Sequence, residues 1–320
     1  MYNISHKYKG FLLLLIKLVI VFGAFYFIYI KLVNNQLLSI TELKQQLSIL
    51  FSKSLWLLIL LLIFTDLNWL LEIYKWKILA TIEKRITFFE AFQQSLASLT
   101  ASIITPNRIG EYGAKALYFE KQSRKRIVLL NFIGNISQLA ITIALGVIGI
   151  VFLLINFTFK IPHFNFIKLL LLCSLIVLVI VFKNKLGITK TIKHYFNKTT
   201  IYLKQIPKSI YIKVLGLSAL RYFIFSHQFY FLFKILGVET GYFTLINLIF
   251  CIYFMASIIP SLAIFDWVIK GSVAIIIFSF IELNQLTIVT ITSIMWLLNF
   301  AIPAIFGSIF VMNFKLINNE

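Results

Sequence analysis

In the sequence ASIITPNRIGEYGAKA, residues 101–116, a proline ends a run of small and apolar residues, and charged residues follow. A related stretch, ASIIPSLAIFDWVIKGSVA, occupies residues 256–274, about 155 positions later. Each has a proline, then an acidic residue, then a lysine four residues after the acid. Two such segments in an otherwise apolar chain predict an internally duplicated membrane protein with a site between its halves.

The composition places the whole chain in a membrane. Of its 320 residues 60% are hydrophobic and 13% are charged, whereas soluble domains carry about 25% charged residues. The apolar runs are continuous rather than alternating, which favours helices over a barrel. Most of the basic residues that give the net charge of +19 lie in loops between these runs. We attribute them to contact with anionic lipid and to orientation by the positive-inside rule, and we predict no nucleic-acid partner. The predicted fold class is an all-α polytopic integral membrane protein.

Six apolar runs are long enough to cross the membrane as helices. In chain order they are 11–30, 55–74, 127–155, 166–182, 211–236 and 286–312. The first has no small-x-small cleavage site, which favours an uncleaved span over a signal peptide. A lysine-rich segment at 183–208 has apolar residues along one helical face, the pattern of an amphipathic linker helix in the membrane interface.

Two proline-broken segments, 88–120 and 243–281, lie between these spans. The limbs of the first have 14 to 18 residues and are polar, so neither makes a full span. Basic clusters flank it at 75–85 and 121–126, and a re-entrant hairpin keeps both clusters on the cytoplasmic side, as the positive-inside rule requires.

The predicted architecture therefore has six full transmembrane helices and two re-entrant helical hairpins in a single membrane domain, 1–320. Its two repeats, 55–155 and 211–312, have inverted orientations, and both termini are cytoplasmic. In such an arrangement substrates bind near the membrane midplane, between the halves.

The run Pro106, Arg108, Gly110 and Glu111, the polar start of the following span and the second proline segment resemble the flippase-like family named after the transmembrane region of lysylphosphatidylglycerol synthase. The resemblance covers about residues 10–312. It implies a membrane domain similar to a lipid flippase, with two re-entrant hairpins that face each other.

In that family the synthase activity belongs to a separate soluble domain. Because this chain ends at Glu320, soon after its last apolar run, we expect no aminoacyl-transferase domain and no enzymatic activity of that kind. The chain departs from the family at 262–266, where LAIFD replaces the glycine-rich turn and glutamate that relatives commonly have. An acidic residue is still present there, as Asp266 in place of the glutamate.

Charged residues inside the membrane are the candidate substrate-binding residues, because a charge there is expensive and indicates a function by default. Arg108 follows a proline at the expected N-terminus of a hairpin limb, where a guanidinium and free N–H groups suit a phosphate. The alternative is that it pairs with Glu111 or caps the other limb. Arg221 is either a headgroup ligand or the partner of Asp66.

Two acid–lysine pairs repeat in the two halves, Glu111 with Lys115 and Asp266 with Lys270. The i, i+4 spacing with the acid first suits a helical ion pair as well as it suits direct contact with a substrate. Their recurrence favours a functional role.

Asp66 and Glu72 lie in the second span, where they serve either as a proton relay or as a pair that holds neighbouring helices together. Polar residues at the start of the third span are predicted to face the first hairpin; they are Asn131, Asn135 and Gln138. The four histidines are scattered, and no GxxxxGK loop is present, so no metal site and no cofactor are predicted.

We expect a transporter or flippase that moves an anionic lipid or lipid-linked headgroup between the leaflets of the cytoplasmic (inner) membrane. Its partner is a membrane phospholipid or a polyprenyl-linked lipid, whose headgroup needs a polar cavity while its acyl chains stay in the bilayer.

The alternative is an integral membrane glycosyl- or phosphotransferase that uses a polyprenyl-linked substrate. Such enzymes usually carry an acidic pair or a His-Asp constellation in an extramembrane loop, and the loops 31–54 and 237–242 hold only Glu42 and Glu239. A third reading, a non-transporting partner that recruits other membrane proteins, needs no charge inside the hairpins.

Overall fold

The computed structural model describes residues 55–103, 105, 108–157, 190–259 and 266–315, with side chains from 198 onward in the segment that begins at 190, and six single positions before residue 55. Pro106, Pro260 and the predicted span 166–182 lie outside these residues, as does the predicted span 11–30 apart from single positions. Every regular element in the described part of the chain is a helix.

The described residues form ten α-helices, which we number in chain order. They are α1 (Leu55–Ala80), α2 (Phe88–Ser102), α3 (Ile109–Leu117), α4 (Arg124–Asn156), α5 (Lys190–Gln205), α6 (Lys208–Ile235), α7 (Tyr242–Ile258), α8 (Asp266–Phe278), α9 (Gln285–Trp296) and α10 (Ile302–Asn313). A 3-10 turn (Ser279–Ile281) follows α8, and a π-turn (Leu297–Ala301) joins α9 to α10.

Four of the described segments are long and apolar enough to cross a membrane. They are Trp56–Ala80, Arg124–Asn156, Lys208–Ile235 and Gln285–Asn313. These segments correspond to four of the six runs predicted as spans. The protein is therefore an all-helical integral membrane protein.

Each proline-broken segment contributes two helices that pack against each other, α2 with α3 in the first half and α7 with α8 in the second. The helix α2 begins with a capping box, in which the Thr87 hydroxyl accepts from the Glu90 N–H and the Glu90 carboxylate accepts from the Thr87 N–H. Most of its later residues are buried, and many of these are small, such as Ala97 and Ser98, so other helices approach it closely. At Gly307 of α10 the approach is so close that a Cβ would overlap the α2 backbone.

The last span is not a continuous α-helix, because the π-turn interrupts it and Pro303 follows two residues later. Proline has no N–H to donate to the carbonyl four residues before it, which belongs to Asn299. That carbonyl instead accepts a hydrogen bond from the indole N–H of Trp69 on α1, at 3.3 Å. Single π-turns inside helices are frequent at functional sites.

The helix α5, within the predicted linker 183–208, is joined to the first half through Tyr202. The Tyr202 hydroxyl donates to Glu83, in the turn after α1, at 2.7 Å. The Arg126 guanidinium lies over the Tyr202 ring, 5.3 Å from its centroid. Burial and the hydrogen bond to Glu83 raise the pKa of Tyr202 above its ordinary value, so the hydroxyl stays protonated and keeps donating.

Candidate functional site

A cavity of about 500 Å³ lies where helices of the two halves meet, a volume typical of small-ligand sites. Its charged lining residues are Glu72, Arg108, Glu111, Lys115, Arg221, Asp266 and Lys270. All six residues assigned to substrate binding from the sequence thus line one cavity, together with Glu72. Asp66 does not line it and is exposed on α1.

Lys115 of α3 is almost fully buried, with 1% of its surface exposed. Its ammonium donates to Glu111 at 2.7 Å and to Asn131 of α4 at 2.8 Å, and it lies 4.5 Å from the ring centre of Trp76 on α1. One turn further along α4, Asn135 donates to the Tyr112 hydroxyl at 2.9 Å. The prediction that the polar start of this span faces the first hairpin is confirmed for both asparagines.

Glu72 holds two cations with one carboxylate oxygen. Lys75 lies 2.7 Å from it and Arg221 of α6 lies 2.9 Å from it, while Glu72 itself is only 9% exposed. Arg221 therefore pairs with Glu72 and not with Asp66, the partner considered from the sequence. The bridge ties α1 to α6 inside the protein.

A chain of amide side chains leads away from Arg221 and connects two helices, α1 and α6, through the π-turn. The Arg221 guanidinium donates to Asn68 at 2.9 Å, and Asn68 donates to Asn299 in the π-turn at 2.7 Å. Asn299 donates to Gln228 at 2.8 Å, and Gln228 donates to Thr65 of α1 at 2.8 Å. Because each amide oxygen in this chain accepts from the preceding donor, the side-chain orientations are fixed from Arg221 to Thr65.

The second-half pair lies at the start of α8. Lys270 donates to Asp266 at 2.8 Å, and its ammonium lies 5.8 Å from the ring centre of Tyr253. Both side chains retain moderate exposure, 36% for Lys270 and 27% for Asp266. The Asp266 carboxylate also interacts electrostatically with Arg108 of the first half.

Arg108 has an unusual backbone, and its guanidinium forms no ion pair with any described residue. It precedes α3 with φ 57° and ψ 30°, in the left-handed region that non-glycine residues rarely adopt. Within the described residues its guanidinium makes no hydrogen bond or ion pair and lies over the Phe300 ring, 5.0 Å from the centroid. The other three cations that line the cavity are all paired with carboxylates. Strain of this kind often accompanies a function.

The backbone after Arg108 is held in place by the neighbouring helix. The Gly110 N–H donates to the Thr105 hydroxyl at 2.9 Å, and a Cβ on Gly110 would lie 2.7 Å from the Ala101 carbonyl oxygen. Only glycine allows α2 and α3 to approach this closely, so the arginine at the start of α3 is fixed against the end of α2.

Some of the residues that build the site were not identified from the sequence. Lys75 follows the predicted span 55–74 and looked like a loop cation, yet α1 continues to Ala80 and buries it to 2% exposure. Asn299 belongs to an apolar run, and its only sequence signal is the proline four residues later. Trp267 and Trp296, which line the cavity as a contacting pair, gave no signal beyond their aromatic character.

The fold and the cavity define a polytopic helical membrane protein with a polar, charged site between its halves. A family model described as the lysylphosphatidylglycerol synthase TM region matches residues 14–307, and the chain belongs to this family. The membership indicates a membrane function related to lipids. Neither curated proteins nor solved structures gave a match to the chain.

Proposed function

We propose that this protein moves an anionic lipid, or a lipid-linked anionic headgroup, between the two leaflets of the membrane. The observation that carries the proposal is Arg108, a cation in the cavity whose guanidinium forms no hydrogen bond and no ion pair with the described residues, since the Asp266 and Glu111 carboxylates act on it only from a longer distance. A phosphate that binds there gains a charge-assisted contact without breaking an existing ion pair.

The chemistry of the remaining charges supports transport over group transfer. Glu72, Glu111 and Asp266 are each held by a cation at 2.7 to 2.9 Å, so none is free to act as a general base. The site can therefore bind and release a headgroup more readily than it can activate one. The acyl chains of the lipid remain in the bilayer while the headgroup enters the cavity.

The same proposal includes the full topology: six transmembrane helices, two re-entrant hairpins and an inverted repeat of 55–155 and 211–312 joined by the linker 183–208, with both termini cytoplasmic in the inner membrane. The packing of α2 on α3 and of α7 on α8 supports two hairpins. Arg108, at the start of α3, and Asp266, at the start of α8, line the same cavity, which supports hairpins that meet in the protein interior.

Labelling of single cysteines tests this topology in a variant that lacks Cys173 and Cys251. Cysteines at Lys84, Arg124 and Lys198 should not react with an impermeant thiol reagent added outside intact cells, whereas those at Lys44 and Lys160 should react. Permeabilised cells supply the control, since the three protected positions should then be labelled. Labelling of position 124 from outside would mean that the first hairpin crosses the membrane, and the inverted repeat would be wrong.

The transport proposal is tested with protein reconstituted into vesicles that contain a fluorescent phosphatidylglycerol. Wild-type protein should expose inner-leaflet lipid to a membrane-impermeant quencher faster than empty vesicles do. Arg108→Gln should lower apparent affinity for the lipid by about ten-fold to a hundred-fold, because one charge-assisted contact is lost. Arg85→Gln is the matched control, since Arg85 is exposed and lies outside the cavity.

Mass spectrometry of the lipid after the assay separates transport from catalysis. A transported lipid keeps its mass, whereas a transferase would change it. Normal transport by a folded Arg108→Gln variant would remove Arg108 from the site.

A further inference from the structure

Three buried hydrogen-bond donors of the cavity lining have no partner among the described residues. They are the hydroxyl of Ser95 and the indole N–H groups of Trp267 and Trp296. Their side chains belong to residues that are 4%, 9% and 7% exposed, and all three residues line the cavity. Buried polar groups in native proteins are nearly always satisfied, so three at one site indicate a ligand that supplies the missing acceptors.

Two of these groups belong to an aromatic cluster that reaches Arg108, and the third lies one helical turn from that cluster. Leu99, one helical turn after Ser95, packs in the same cluster as Trp267, Trp296 and Phe300. The centroids of the two tryptophan rings are 6.3 Å apart, and those of Trp296 and Phe300 are 5.8 Å apart. The rings form a wall that ends under the Arg108 guanidinium.

The chemistry of this wall selects among ligands. An acyl chain would cover the rings but leave the hydroxyl and both N–H groups unsatisfied. A bare phosphate would satisfy donors but leave the aromatic faces uncovered. A sugar ring does both, because its C–H face packs on aromatic rings while its hydroxyl oxygens accept from N–H and O–H donors. Asp266, directly before Trp267, also lines the cavity, and its carboxylate can accept hydrogen bonds from sugar hydroxyls.

We propose that the ligand of this cavity is a glycosyl phosphate, with its sugar on the wall formed by Trp267, Trp296 and Phe300 and its phosphate at Arg108. This inference rests on the proposed function for the position of the phosphate and adds the identity of the headgroup. The same chemistry occurs in a lipid-linked sugar phosphate and in a free one. The location of the cavity inside an integral membrane protein favours the lipid-linked form.

Equilibrium binding to protein in lipid nanodiscs, free of sugar detergents, tests the proposal with three probes. Citronellyl phosphoryl glucose should bind about ten-fold or more tighter than citronellyl phosphate, because the sugar satisfies groups that the phosphate alone leaves unpaired. It should also bind tighter than glucose 1-phosphate. If glucose 1-phosphate binds as tightly as the prenyl compound, the ligand is a free sugar phosphate and the lipid-linked assignment is wrong.

Two variants test whether the aromatic wall and Ser95 bind the sugar. Trp296→Phe keeps an aromatic ring and removes the N–H, so it should reduce the preference for the glucosylated probe over citronellyl phosphate. Ser95→Ala should act in the same direction and provides a second variant if Trp296→Phe fails to fold. Trp56→Phe is the matched control, because Trp56 is 77% exposed at the start of α1 and does not line the cavity.

The outcomes separate this inference from the proposed function. Equal binding of citronellyl phosphate with and without glucose would overturn the sugar assignment and leave the anion site at Arg108 in place. Failure of both prenyl probes to bind wild-type protein would overturn both. A preference for the glucosylated probe that survives both Trp296→Phe and Ser95→Ala would remove this wall from the site.

Discussion

Replacing Glu72 by glutamine is expected to destabilise the folded protein by about 3 to 5 kcal/mol, because removal of one partner leaves buried cations uncompensated. The variant would remove the anionic partner of both Lys75, which is 2% exposed, and Arg221, because the two cations pair with the same carboxylate oxygen. The measurement is the midpoint of thermal unfolding in detergent. The double variant Glu72→Gln with Lys75→Met should recover part of the loss.

Asp66→Asn is the matched control for Glu72→Gln, since it makes the same kind of change on the same helix. Asp66 is exposed and has no ion pair among the described residues, so its replacement should shift the unfolding free energy by less than about 0.5 kcal/mol. Equal destabilisation by the two substitutions would contradict the assignment of Glu72 as the residue that joins α1 to α6.

Exchanging the charges of the second-half pair, Asp266→Lys with Lys270→Asp, is expected to abolish transport although the protein stays folded. The exchange regenerates a bridge within α8, but it places an ammonium where the Asp266 carboxylate now interacts with Arg108. Like charges would then face each other in the cavity at the anion site. The measurement is transport in vesicles together with the thermal midpoint.

Exchange of two exposed charges outside the cavity, Glu120→Lys with Lys121→Glu, provides the control for this variant. It keeps the net charge, and it should leave transport near the wild-type level. Full activity of the exchanged 266/270 pair would show that these residues only brace their own helix and do not face a substrate.

The helices that cross the membrane were predictable because continuous apolar runs leave the backbone no other way to satisfy its hydrogen bonds in lipid. The i, i+4 spacing of acid and lysine also allowed two ion pairs to be predicted, and both form: Glu111 with Lys115 at 2.7 Å and Asp266 with Lys270 at 2.8 Å. What the spacing could not decide is whether these pairs also face a ligand. That depends on which side of each helix is turned to the cavity.

Long-range partners were not predictable for a related reason. Asp66 and Glu72 are six residues apart and so lie on different faces of α1, and either face could have been the inner one. Only the packing of α6 against α1 selects Glu72 as the partner of Arg221. Asn68 and Asn299 are hydrogen-bonded although they are 231 residues apart in the sequence. An asparagine in an apolar run gives no sequence signal that identifies its hydrogen-bond partner.

If the cavity receives the phosphate of a lipid at Arg108, an experimental density map of the protein in nanodiscs with an anionic lipid should show that phosphate. We expect its density between α3 and the π-turn, within hydrogen-bonding distance of the Arg108 guanidinium, with acyl chains leading out to the bilayer. Replacement of Arg108 by glutamine should remove that density and leave the helices in place. A cavity filled only by acyl chains, with headgroups confined to the two membrane surfaces, would contradict the proposal.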